Sequence, residues 1–256
     1  MPSFKRQTPH LFAHRGSNAT GKQNENTRGA FQDAVAKGCQ FLETDVIMTK
    51  DKQVITYHGS HNILMKKIYG LETRNKVQKL TLTQLQKKLR SGKEPIPRFE
   101  DMLTLFDAQC FSVDVKTKEV VEPLVSIIKK HRAENRVIIT SFNKNRSIAA
   151  GRLLYGENFN RASLCVYRTK GWLISFFPSL TLKLLKTRGF GFLQIPHRCV
   201  NKRLIDKANE TGIYIYPWTV NKAADMKRLL GLRVHGIISD EIDLLLRMAN
   251  NYKQAE

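Results

Sequence analysis

The sequence predicts an α/β fold, a (β/α)8 (TIM) barrel with a small insertion after the second strand. Three observations lead there. Short apolar strand-like runs alternate with amphipathic helical stretches, and about eight such units can be laid along the 256 residues. Charged side chains and histidines recur near the C-terminal ends of those strands, the face on which barrel enzymes carry their chemistry. The length is also that of one such barrel, which typically uses about 250 residues, so residues 1–256 are read as one barrel domain. An open doubly wound sheet is the competing fold. It would want a glycine-rich phosphate loop, and the sequence contains neither G-x-G-x-x-G nor a P-loop lysine motif.

Each element has its own signal. HLFAH (10–14) reads as the first strand; in the helix that follows, Ala30, Phe31, Ala34 and Val35 share one face and Gly38 closes it. FLETDVIM (41–48) is the second strand, with QVITYHG (53–59) as a hairpin-like extension and residues 60–109 as the insertion. CFSVDVK (110–116) is followed by a helix whose Val120, Val121, Leu124, Val125 and Ile128 form one stripe; Pro123 lies early enough to be tolerated. Next come RVIITSF (136–142) with a helix to about Leu154, and RASLCVY (161–167) with one apolar helix around 172–186. FGFLQIP (190–196) precedes a helix ending at Gly212; IYIYPWTVN (213–221) precedes a helix through Leu230. HGIISD (235–240) and an amphipathic helix over 241–252 close the series.

Composition narrows the class. At 41% hydrophobic and 25% charged, the chain can bury an ordinary core. Its net charge of +21 points either to an anionic partner or to a generally basic, solvated surface. The basic residues are dispersed rather than gathered in a block, and no specific nucleic-acid partner is expected. Cys39, Cys110, Cys165 and Cys199 are far apart with no C-x-x-C pair, which argues against a zinc site or a disulfide framework. The opening MPSFKRQTPHLFAHRG lacks the apolar stretch of a secretory signal. WLISFFPSLTLKLL (172–185) is too short to span a bilayer and contains Pro178 and Lys183. A soluble cytoplasmic protein is the expectation, with peripheral contact at an anionic inner membrane surface as an added reading. An apolar 172–185 would suit a lysolipid at such a surface, or it is simply a barrel helix packed on its sheet.

Strand residues two apart share a face. Glu43 and Asp45 therefore point together, away from Leu42, Thr44 and Val46, and Asp114 and Lys116 repeat the arrangement. His14 and His58 each end a strand-like run. Three carboxylates crowded at a barrel mouth repel one another unless a cation sits between them, and oxygen ligands select a hard ion, Mg²⁺ or Ca²⁺.

The series AHRG (13–16), ENT (25–27), ETDV (43–46), TKD (49–51), YHG (57–59), VDVK (113–116), SF (141–142), WTVN (218–221) and GIISD (236–240) resembles the glycerophosphodiester phosphodiesterases from about residue 10 to 247. The resemblance implies a (β/α)8 barrel and divalent-metal-dependent cleavage of a small-molecule glycerophosphodiester, or of a lysophospholipid. By position it makes Glu43, Asp45 and Asp114 the metal ligands and His14 and His58 the acid–base pair. Arg15 and Lys116 become phosphate contacts, Trp218 part of the wall around glycerol, and Glu25 and Asn26 supports of the first loop. Three positions depart from the family pattern. His58-Gly59 stands where the family usually has His-Asp, although related spider-venom phospholipase D toxins also read Tyr-His-Gly. Asp114 replaces a commoner Glu, and Asn24 the Pro of Pro-Glu-Asn-Thr.

Overall fold

The computed structural model describes residues 9–17, 24–59, 73–89, 94–156 and 162–254. The first barrel strands are β1 (His10–His14), β2 (Phe41–Met48), β4 (Cys110–Val115) and β5 (Val137–Ser141). The remaining four are β6 (Ala162–Cys165), β7 (Phe190–Pro196), β8 (Tyr214–Trp218) and β9 (Gly236–Ser239). They stand in the order β8-β7-β6-β5-β4-β2-β1-β9, and every pair in that path is parallel. β3 (Val54–Thr56) turns back along β2 antiparallel, with Val46 opposite Thr56, which is the hairpin-like extension read from the sequence.

Where the ring closes between β8 and β9, one backbone bond and several side-chain bonds act as pins. Val220 N–H donates to the Ile238 carbonyl (3.0 Å), and Ile215 N–H donates to His235 Nδ1 (3.2 Å). Asn221 Oδ1 accepts from the Asp240 N–H (3.0 Å) and from Ser239 Oγ (3.2 Å).

The helices lie outside. α1 (Arg28–Ala36) buries Ala30, Phe31 and Ala34 and is N-capped by Thr27. The insertion contributes α2 (Arg74–Val77) and α3 (Leu82–Lys87), the latter opened by a Thr81–Gln84 capping box. Its residues 60–72 and 90–93 lie outside the described ones. α4 (Phe99–Leu105) sends Phe99, Met102 and Leu103 into the main core beside Phe111 and Val113. It is thus the helix the barrel plan requires between β2 and β4, and the inserted part, read as about 60–109, ends before Phe99. α5 (Val121–Lys130) buries the stripe Val121, Leu124, Val125 and Ile128. α6 (Lys144–Tyr155) follows β5.

The single helix expected around 172–186 is two helices, α7 (Arg168–Phe176) and α8 (Pro178–Thr187). The break is set by Pro178, which drives the preceding residue out of the helical region; Phe177 sits at φ −121, ψ 56. α9 (Lys202–Thr211), α10 (Ala223–Gly231) and α11 (Ile242–Gln254) complete the ring.

Strand alternation sorts the side chains. Leu42, Val46, Phe111, Val113 and Val115 face the helices within the main core. Inside the barrel, Phe12, Phe41, Cys110, Ile138, Phe192, Tyr216 and Ile238 form an apolar floor. His10 is fully buried there, stacked on Phe41 (4.4 Å between ring centres) and bonded through Nδ1 to the Tyr216 hydroxyl (2.8 Å). Buried Ser112, Thr140, Ser163 and Gln194 make a polar layer above it, where Gln194 Nε2 donates to Ser112 Oγ (2.7 Å). The charged residues lie above that, at the C-terminal mouth.

Candidate active site

His14, Arg15, Glu43, Asp45, His58, Asp114, Lys116 and Trp218, the eight side chains singled out in the sequence, all line one cavity of about 360 Å³. Strand register brings them there. His14 on β1 is opposite Glu43 on β2, and Asp45 on β2 is opposite Asp114 on β4. Directly opposed carboxylates on neighbouring strands repel, and the Lys116 ammonium lies between them. It is 2.5 Å from Asp114 Oδ2 and in close ion contact with Asp45. Arg15 Nε stands 2.8 Å from Asp45 Oδ2, and its Nη1 donates to Glu25 Oε2 (2.9 Å).

Loops after the strands fix this geometry. The turn after β1 passes through Arg15 at φ 60 and Gly16 at φ 90. A Cβ at Gly16 would stand 2.7 Å from Ala30, so only glycine lets the loop lie against α1. Asn26 fastens the same loop to β2. Its Oδ1 accepts from Thr44 Oγ1 (2.7 Å) and the Asp45 N–H (3.3 Å), and its Nδ2 donates to Asp45 Oδ2 (3.2 Å).

Burial and neighbours set the charges. Burial, with Asp45 beside it, raises the Glu43 carboxyl to about 7. Burial also raises Asp114, and Lys116 offsets only part of that. Burial would raise Asp45 too, yet Arg15 and Lys116 hold it well below the usual carboxylate range. The histidines diverge. Burial and Arg15 push His14 down, but Glu43 and Asp240 more than compensate and its pKa is raised. Burial lowers His58 to about 2; Asp45 opposes that, and Arg15, Lys116 and Arg74 reinforce it.

Glu43 Oε2 and Asp114 Oδ1 are buried without a hydrogen-bond partner. An orphaned buried carboxylate oxygen is costly, and oxygen donors of this kind are the ones a hard divalent ion takes. As they stand, no three His, Cys, Asp or Glu side chains among the described residues are gathered closely enough to hold a metal, and Lys116 bridges Asp45 and Asp114.

Several site residues escaped the sequence reading. Asp240, at the end of the quoted GIISD, holds His14 Nδ1 (2.6 Å), while its other oxygen accepts from Asn221 Nδ2 (2.7 Å). Burial pushes the Asp240 carboxyl up, but the hydrogen bond and charge of His14, together with Asn221 and Arg15, outweigh it and lower it to about 2. A strand-end acid after a barrel strand was the available signal. Arg74, from the insertion, donates through Nε to the His58 carbonyl (2.9 Å) and lines the cavity with Arg146; nothing local in the sequence marks either. Phe142 stacks on Tyr167 (4.3 Å) and meets Trp218 edge-on (5.7 Å), giving the cavity one aromatic wall.

Known proteins share this arrangement of sequence and fold. The family described as "Glycerophosphoryl diester phosphodiesterase family" matches residues 14–244. A Mycobacterium tuberculosis protein named "Probable glycerophosphodiester phosphodiesterase 2" is 30% identical over 91% of this chain and 88% of its own. A lysophospholipase D from Mus musculus is 24% identical over 94% and 86%. A solved phosphodiesterase from Oleispira antarctica, in complex with the product sn-glycerol-3-phosphate, superposes with a TM-score of 0.74. It is 18% identical, over 94% of this chain and 97% of that one, so it speaks for the fold. With the family matched across nearly the whole barrel, the chain belongs to the glycerophosphoryl diester phosphodiesterase family and is a phosphodiesterase.

Proposed function

We propose that the protein cleaves glycerophosphodiesters to glycerol 3-phosphate and an alcohol, with one divalent cation, Mg²⁺ or Ca²⁺, held by Glu43, Asp45 and Asp114. When bound, that cation supplies Lewis acidity at a phosphate oxygen. Arg15 and Lys116 add fixed positive charge where the transition state gains negative charge. His14 and His58 divide the proton traffic, one taking a proton from the nucleophile and the other giving one to the leaving alkoxide. Their surroundings shift the two rings in opposite directions, His14 up and His58 down. Trp218, Phe142 and Tyr167 wall the organic part of the substrate.

The observation that carries this reading is the meeting in one cavity of two imidazoles and two buried carboxylate oxygens that lack a hydrogen bond. The assay is release of glycerol 3-phosphate from glycerophosphocholine and glycerophosphoethanolamine. EDTA is expected to abolish it and added Mg²⁺ or Ca²⁺ to restore it, while His14→Ala lowers kcat by about 10²–10⁴-fold. Turnover indifferent to both EDTA and His14→Ala would sink the proposal.

A second reading, lysophospholipase D action on lysophospholipids, is favoured by the aromatic wall, and the mouse relative bears that name. A catalytically idle basic barrel that binds anionic polymers or membranes fares worse, because every one of the eight site positions keeps a functional group. Among the described residues no helix is long and apolar enough to cross a membrane. The four buried free cysteines support a reducing compartment such as the cytoplasm.

A further inference from the structure

The two helices on either side of Pro178 turn much of their apolar surface outward. Ile174 and Leu182 are buried against the barrel, as any barrel helix requires. Leu173, Phe176, Phe177 and Leu180 are 56%, 63%, 62% and 73% exposed. Trp172 and Leu184 extend the patch, and Trp172 lies 6.0 Å from Phe176 between ring centres. Scattered exposed leucines need no explanation, but a contiguous aromatic and aliphatic patch does.

Charge says what covers it. Between Glu157 and Asp206 the sequence has no acidic residue. The exposed polar residues that border the apolar ones include Arg168, Lys170, Lys183, Lys186 and Arg188. Helices with Trp, Phe and Leu on one face and lysine or arginine beside them lie in the plane of a lipid interface. Neither helix is long enough to cross a membrane. The patch also continues the cavity: Tyr167, whose ring lines the cavity beside Phe142, is the N-cap of α7.

We infer that α7 and α8 form a docking surface for an anionic lipid bilayer, which seats the cavity mouth at the membrane. As a claim about where this site meets its substrate, it rests on the proposed phosphodiester chemistry; as a claim about binding, it does not. The test is flotation of the full chain with vesicles of phosphatidylcholine and with vesicles of equimolar phosphatidylcholine and phosphatidylglycerol. The wild type is expected to float with the anionic vesicles only, less at high salt, with a blue shift in Trp172 fluorescence. The triple variant Phe176→Ser, Phe177→Ser, Leu180→Ser should lose at least about tenfold in vesicle binding, yet hydrolyse water-soluble glycerophosphocholine at the wild-type rate.

Three results would overturn the inference. One is a wild type that stays with buffer. Another is a variant that floats as well as the wild type, which would leave only diffuse attraction by the +21 charge. The last is a wild-type dimer that the triple variant converts to monomer with vesicle binding unchanged, which would make the patch a contact between copies. If glycerophosphocholine is not cleaved but flotation behaves as expected, the proposed chemistry fails and the docking surface stands.

Discussion

His14 is held at Nδ1 by Asp240, which leaves Nε2 as the nitrogen nearer Glu43, 3.8 Å from its Oε2. On the proposed chemistry Asp240 acts through His14 and is a positioning residue. Asp240→Asn is expected to lower kcat on the order of 10–100-fold, the usual cost of losing an orienting partner of a histidine, with KM nearly unchanged. Equal loss in kcat and KM, or loss together with a lowered Tm, would instead point to a purely structural role. Position 59 is the other instructive residue. The family's usual Asp is a glycine here, and the backbone at Gly59 has φ 75, a region where a side chain is strained. A Cβ there would press to 3.0 Å from Arg74 Cγ. Arg74 instead reaches His58 through its carbonyl, so the loop is held from the insertion. Strand alternation pairs Glu43 with Asp45 and Asp114 with Lys116 on one face, whereas Arg15 and Trp218 entered through the family resemblance; all eight line one cavity. Asp240, Arg74 and Arg146 were not legible in the sequence, since their roles depend on which distant strand ends meet around the ring.

Among the elements, the strands were the most legible: β2 and β4 are buried at nearly every residue, and short runs that are covered on both faces stand out in a sequence between turn signals. The helix after β4 was equally plain. Its buried stripe predicts a large effect for Leu124→Ala, which is fully buried in the main core. Such truncation costs about 2–5 kcal/mol, read as a lower denaturation midpoint with an unchanged m-value. A loss below about 1 kcal/mol would mean that the site collapses around the gap. The segment 168–187 was harder. Apolar periodicity registers hydrophobicity but not exposure, so a stripe that packs on the barrel and one that faces out look alike, and the break at Pro178 was masked by apolar residues on both sides.

For the whole molecule, closure of the barrel was predictable from counting units, but not how the ring is fastened. His235 is one fastener, accepting the Ile215 N–H at Nδ1, which requires a neutral ring nitrogen. Burial, with His10 nearby, lowers its pKa from the ordinary 6.5 to about 4. Between these values the unfolded chain binds more proton than the folded one. The His235 contribution is therefore complete above pH 6.5 and is lost as pH falls toward 4. Tm is expected to decline over that window, and His235→Asn, which keeps an acceptor but does not titrate there, should flatten the decline. An unaltered acid limb in that variant would assign the pH dependence elsewhere. The floor of His10, Phe12, Phe41 and Tyr216 has a consequence for turnover. Among the described residues the bore is plugged at that end, so the chamber is a cul-de-sac that opens at the C-terminal mouth. On the proposed chemistry, a departing alcohol and an arriving reactant would then share the passage at the C-terminal mouth.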